Sequence, residues 1–115
     1  MDDSYDEEDL SLGSELVHLD LSQNKITHIG ARYLFEAVRI NQTLISLNLG
    51  NDDPRNAKQR NSIGPKGAKY LKEMLIENKF MSFLNIMGNG ICDQGVYQIA
   101  LGLKQNHTLE TLNIA

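Results

Sequence analysis

The sequence predicts an α/β repeat protein in which each unit contributes one short strand and one helix. Three observations carry that expectation: a strand-like spacing of leucines, a helix-like spacing behind it, and a shared register of asparagine and glycine between the two. The clearest unit runs from Met81 to Thr108. Met81, Leu84, Ile86, Asn89 and Ile91 have the spacing of a short strand entering a turn. Gly95, Val96, Ile99, Gly102 and Leu103 recur three or four residues apart, as one helical face requires. Asn106 and Thr108 close the unit.

In chain order, the first repeat (16–43) has Leu16, Leu19 and Leu21 on its strand, then Asn24 and Ile26. Gly30 and Ala31 open its helix, whose inner face is expected to be Leu34, Ala37 and Val38. The second repeat (44–80) has Leu44, Leu47 and Leu49, then Asn61 and Ile63, then Gly67, Ala68, Leu71, Met74 and Leu75. The third is the unit 81–108. A partial fourth (109–115) supplies Leu109, Leu112 and Ile114.

The registers agree. The first asparagine precedes the glycine by six residues in every complete unit (24 to 30, 61 to 67, 89 to 95). A second asparagine follows the glycine by eleven (30 to 41, 67 to 78, 95 to 106). Leu16 and Leu44 are 28 residues apart, as are Met81 and Leu109, but Leu44 and Met81 are 37 apart. Because both flanks keep register, the nine extra residues lie within 50–60. That insertion has little to bury, so a mobile loop at one rim is expected.

These residues resemble the leucine-rich repeat family, L-x-x-L-x-L-x-x-N-x-L, and the 28-residue spacing resembles its ribonuclease-inhibitor-like class. The resemblance covers residues 16–115. It implies a right-handed solenoid with a parallel sheet on the concave side and helices on the convex side, here three full repeats plus a fourth strand. Such solenoids need about three repeats and polar caps. The uncovered fourth strand therefore predicts an exposed apolar C-terminal end, and with it a fragment of a longer protein or a chain that docks on another subunit.

The residue types account for the turns without the family name. Asn24, Asn61 and Asn89 sit where the chain leaves the strand, where an amide can bond backbone groups left unpaired by a tight turn. Gly30, Gly67 and Gly95 imply either close approach or positive φ near each helix start. Asn41, Asn78 and Asn106 fall at helix ends, where asparagine tolerates the left-handed conformation. Asn41-Gln42-Thr43 and Asn106-His107-Thr108 match the glycosylation acceptor pattern, but glycosylation is not expected without a signal sequence.

Composition narrows the class. With 115 residues and 41% apolar content, the chain suits one soluble domain. No apolar run approaches the roughly 20 residues that cross a bilayer. The N-terminal stretch lacks the basic and apolar regions of a signal peptide, and Cys92 has no possible internal disulfide partner. Both point to a reducing, cytoplasmic setting. Net charge is −4, yet residues 1–9 carry six acids and no base, leaving nine acids and eleven bases for the remainder. Residues 1–15 are thus expected to be an acidic, solvated and disordered tail. Ser4 in that setting would suit an acidophilic kinase if the tail is instead a docking arm. Nucleic acid is not an expected partner, because phosphate binding draws on clustered Lys and Arg.

Stacked strands would align their outward residues in columns. One column is His18, Ser46, Phe83 and Thr111; the next is Asp20, Asn48, Asn85 and Asn113; a third is Ser22, Gly50, Met87 and Ala115. An aromatic and a methionine among small polar groups make this face the candidate partner-binding site. The competing assignment packs Phe83 beside Met81 and Met87. The insertion adds a basic rim of Arg55, Lys58 and Arg60, near Lys66, Lys69 and Lys72 in sequence, that could meet an acidic partner or the acidic tail. A solvated helix face is the plainer account of these charges.

Chemistry is not expected. His18, Asp20 and Ser46 bring a base, an acid and a hydroxyl together, but an open sheet supplies no oxyanion pocket and no shield from water. There is no phosphate-binding glycine loop, no metal-ligand spacing among Cys92, His18, His28 and His107, and hence no cofactor is predicted. The expected function is a noncatalytic protein–protein interaction or scaffold module of an intracellular assembly, cytoskeletal, ciliary or immune-sensor-like. The alternative is an enzyme regulator, because the family includes the activator of the Ran GTPase. That activator carries its acidic region after the repeats, whereas here the acid precedes them.

Overall fold

The computed structural model describes residues 15–115. The acidic segment therefore lies outside the described residues, apart from Glu15. Four short strands, β1 (His18–Asp20), β2 (Ser46–Asn48), β3 (Phe83–Asn85) and β4 (Thr111–Asn113), form one parallel sheet in the order β1-β2-β3-β4. Between them run α1 (His28–Ile40), α2 (Gly64–Glu77) and α3 (Cys92–Leu103). The result is an α/β solenoid of three strand–helix coils followed by a fourth strand.

The strand residues explain the stacking. Leu19, Leu47, Leu84 and Leu112 pair directly across the sheet. Leu47, Leu49, Leu84 and Ile86 are buried, as are Leu44 and Met81 just before their strands. In the first coil Leu16 is exposed, and Leu19 and Leu21 are only partly covered, because no other coil lies on that side of them among the described residues. Leu112 of the last strand, and Leu109 and Ile114 on either side of it, are likewise partly buried against the core.

On the helical side, α2 buries Gly67, Ala68, Leu71, Met74 and Leu75, as its periodicity predicts. The first helix differs from expectation: Ala31, Phe35 and Val38 are buried, Leu34 is half-buried, and Ala37 faces solvent. A helical face passes through positions 31, 35 and 38 as readily as through 34, 37 and 38, and the large Phe35 side chain decides which turns inward. In α3 only Gly95, Ile99 and Gly102 are buried, while Val96 and Leu103 are exposed. Ala68, the counterpart of Val96, packs beneath Gly95 of the next coil. Val96 has no further coil upon it among the described residues.

Two asparagine ladders join the coils. In the first, Asn61 Oδ1 accepts from the backbone N–H of Asn24 (2.9 Å) and Ile26 (2.8 Å), and its Nδ2 donates to the carbonyls of Leu21 and Leu49. Asn89 repeats this one coil on, accepting from Ile63 N–H and donating to Leu49 and Ile86. The second ladder corrects the expectation for Asn41, Asn78 and Asn106. None of these has positive φ; Asn41 and Asn78 are extended. Instead, Asn78 Oδ1 accepts from Phe80 and Met81 N–H, and its Nδ2 donates to the carbonyls of Val38 and Asn41. Asn106 does the same against Leu75 and Asn78. Buried turn groups are thereby satisfied by the neighbouring coil.

Close approach, not positive φ, accounts for Gly67 and Gly95. A Cβ on Gly95 would meet Ile91 Cγ2 at 2.5 Å and Ala68 Cβ at 3.3 Å; on Gly67 it would collide with Ile63 Cγ2. The left-handed positions are elsewhere, among them Gly64 (φ +65°) and Cys92 (φ +64°), the first residues of α2 and α3.

Candidate functional site

The three outward columns exist as the strand spacing predicts for the first two: His18, Ser46, Phe83 and Thr111 are direct partners across the sheet, as are Asp20, Asn48, Asn85 and Asn113. Beyond the strand ends, Asn51 N–H donates to the Met87 carbonyl and Gly88 N–H to that of Ala115, which carries the same register into the third column. The face is therefore one continuous plane of side chains, built by backbone pairing and not by any single loop.

Within it, the second column is less free than its position suggests. Asp20 Oδ1 accepts from Ser22 N–H at 2.9 Å, Asn48 Oδ1 from Gly50 N–H at 2.9 Å, and Asn85 Oδ1 from Met87 N–H at 2.9 Å. Each short polar side chain thus closes the turn two residues downstream, a local bond that Asx residues make readily. Gly50 is part of the same arrangement, since a Cβ there would lie 2.8 Å from both side-chain heteroatoms of Asn85. The Ser22 backbone N–H, and then its hydroxyl, hold the Asp20 carboxyl below the usual carboxylate range.

The first and third columns carry the exposed chemistry. His18 Nδ1 and Ser46 Oγ are hydrogen-bonded at 2.8 Å. Asp20 turns to Ser22 and makes no hydrogen bond to His18 among the described residues, so the base and hydroxyl lack the orienting acid that a nucleophilic relay requires. Phe83 and Met87 are half-buried, and with Asn85 they project from alternate positions of the same chain segment, which puts all three on one side of the sheet. Thr111 and His18 are exposed at the two ends of the first column.

The insertion is folded, where the sequence led us to expect a mobile loop. Pro54–Gln59 forms a 3₁₀ segment, kinked at Asn56 and capped by Asp53, whose side chain accepts from Arg55 N–H. It is pinned at several points. Gln23 Nε2 donates to the carbonyls of Asp53 and Asn56, its Oε1 accepts from Asp53 N–H, and Lys25 N–H donates to the Gln59 carbonyl. Of the basic rim, Arg55 pairs with Asp53 at 3.0 Å, Arg60 donates to the Gly88 carbonyl, and Lys58 is exposed. Lys66 and Lys69 are exposed on α2, while Lys72 is half-buried, with Gly102 of α3 packed close to its backbone. Sequence reasoning missed Gln23 altogether. Its partners lie some thirty residues away, and no local pattern marks it.

Among the described residues no three His, Cys, Asp or Glu side chains are grouped so as to hold a metal ion. No helix there is long and apolar enough to cross a membrane.

Comparison with known proteins agrees with this architecture. The family described as Leucine Rich repeat matches residues 15–35 and 77–100. No curated protein matches the chain. Among solved structures, one titled leiomodin-1 actin-binding site 2 is similar over 94% of this chain, with a TM-score of 0.77 and 24% identity. The chain spans 58% of that structure's length. At that identity the likeness speaks for the fold.

Proposed function

With a leucine-rich-repeat solenoid as the premise, we propose that this chain is a noncatalytic protein-interaction module whose concave sheet receives a partner from the cytoskeleton. Actin is the first partner to test. The observation that carries the reading is the in-register concave face, with Phe83 and Met87 half-exposed on either side of Asn85 amid small polar residues. Aromatic and methionine side chains that remain partly accessible on an ordered surface are the groups that gain most from further burial, at roughly 25 cal/mol per Å² of apolar area. The actin-binding title of the similar structure supports the choice of partner. The 28-residue spacing of the first and third units supports assignment to the ribonuclease-inhibitor-like class.

His18, Ser46 and Thr111 would supply hydrogen bonds around the apolar pair, and the exposed cations of the insertion, Arg55, Lys58 and Arg60, would steer an acidic surface toward the rim. Asp20, Asn48 and Asn85 act chiefly by holding the turns that shape the face; the carboxylate of Asp20 and the amide of Asn48 keep hydrogen-bonding capacity open to a partner, whereas Asn85 is buried. Asn113 completes that column. A cytoplasmic location is consistent with the exposed, unpaired thiol of Cys92.

The test is co-sedimentation with filamentous actin together with a binding titration against monomeric actin. Saturable binding to either form, lost in Phe83→Ala, is the expected result. Binding to neither, accompanied by faster nucleotide hydrolysis by a Ran-type GTPase, would instead identify an enzyme regulator.

A further inference from the structure

On the helical side, away from the sheet, α2 and α3 leave a groove of about 830 Å³. Its lining includes Lys66, Lys69 and Tyr70 from α2, Tyr97 and Gln98 from α3, and His28 at the start of α1. The packing explains its shape. Gly95 lets α3 approach α2 closely, with Ala68 and Pro65 both 3.3 Å from the place a Cβ would occupy. The longer side chains at the edges of this seam stand outward as walls.

We propose that this groove is a second binding surface, and that it takes an acidic peptide segment bearing an aromatic residue. Charge complementarity sets the first part. Among the described residues neither Lys66 nor Lys69 is ion-paired, and Asp93 is the one acid in the lining. The rings set the second. Tyr70 is held beneath two cations, with Arg32 Cζ 5.3 Å and Lys69 Nζ 5.8 Å from its centroid. Tyr97 is 63% exposed and offers an unoccupied ring. The amide of Gln98 supplies a third feature: its Oε1 is buried with no hydrogen-bond partner among the described residues. Rotation of this half-buried side chain would bring its amide to the groove, where a peptide N–H could donate to the Oε1. A small anion would leave the aromatic walls uncovered. The volume lies within the range of about 300–1,000 Å³ usual for binding clefts.

This surface is separate from the concave face, so the two readings can fail independently. The probe is a fluorescein-labelled peptide of glutamates flanking a single tyrosine, titrated into the full chain and followed by anisotropy. Saturable binding that weakens with added salt is expected, with an affinity loss of about tenfold or more in Lys66→Glu/Lys69→Glu and a smaller loss in Tyr97→Ser. All three substituted positions are exposed, and a circular-dichroism melt checks that the fold is kept. Phe83→Ala, on the opposite face, should leave peptide binding unchanged. The proposal is overturned if the charge reversal has no effect, if a glutamine version of the peptide binds equally well, if Phe83→Ala abolishes binding, or if a single-stranded oligonucleotide is preferred.

Discussion

Asn51 and Asn61, which bracket the insertion, exchange two hydrogen bonds: Asn61 N–H donates to Asn51 Oδ1 and Asn51 Nδ2 donates to the Asn61 carbonyl, both at 2.8 Å. This pair lets the chain leave the solenoid and return without disturbing the ladder, because Asn61 still reaches back to the first coil through its own side chain. Asn61 is fully buried, whereas Asn24, its counterpart in the first coil, is exposed. Asn61→Ala is therefore expected to cost about 3 kcal/mol or more, since it strands several buried backbone groups at once. Asn24→Ala should cost less than about 1 kcal/mol. Urea unfolding of both variants checks the difference, and equal losses would contradict the ladder's energetic role.

Glycine substitutions should separate crowded from open seams. Gly95→Ala is expected to destabilise by about 1–3 kcal/mol, because the new methyl would crowd Ile91, Ala68 and Pro65 together. At Gly30, among the described residues, a Cβ meets only Ile26 Cγ2 at 3.3 Å. Gly30→Ala should accordingly be neutral or stabilising by up to about 1 kcal/mol through helix propensity. Thermal melts of the two variants give the comparison.

Cys92 opens α3 at φ +64°, where the preceding coil has Gly64 at φ +65°. A side chain in that region carries a penalty of about 1–2 kcal/mol. Cys92→Gly should recover up to about 1 kcal/mol, part of the gain being offset by the greater freedom of glycine in the unfolded chain. A rise in the denaturant midpoint without a change in slope is the expected signature.

Acid sensitivity follows from two carboxylates. Hydrogen bonds from Ser22 depress Asp20, and the Arg55 side chain, with its backbone N–H, depresses Asp53. A depressed carboxylate contributes stability above its unfolded pKa of about 3.9 and loses that contribution as pH falls through the lower folded value. The unfolding midpoint should thus decline as pH drops from about 5 to about 3, more gently in Asp20→Asn/Asp53→Asn. Both groups are well solvated, so the effect is small. Asparagine retains the capping oxygen at position 53, which keeps the comparison clean. Identical acid limbs would show that these two groups do not contribute.

Much of this architecture was legible because a solenoid repeats its constraints. Leu47, Leu84 and the asparagine register had to recur wherever one coil met the next, and the break in spacing located the insertion without any structural information. What was hidden depends on contacts between distant positions or on local torsion. Gln23 holds the insertion from the first coil, Phe35 displaces Ala37 from the core through its size, and Cys92 adopts a glycine-like torsion that its side chain does not advertise. The concave columns were readable as a register. That Asp20, Asn48 and Asn85 spend an oxygen on the turn beyond them was not, because the spacing of a polar residue does not disclose whether its side chain bonds its own backbone.

The most direct test of the concave-face account is a titration of labelled chain with purified actin, comparing Phe83→Ala with Tyr97→Ser, which lies on the helical side. The expected result is an affinity loss of about tenfold or more for Phe83→Ala, as removal of a central aromatic anchor gives, and none for Tyr97→Ser. No saturable binding by the unaltered chain, or equal affinity for it and Phe83→Ala, would contradict the account.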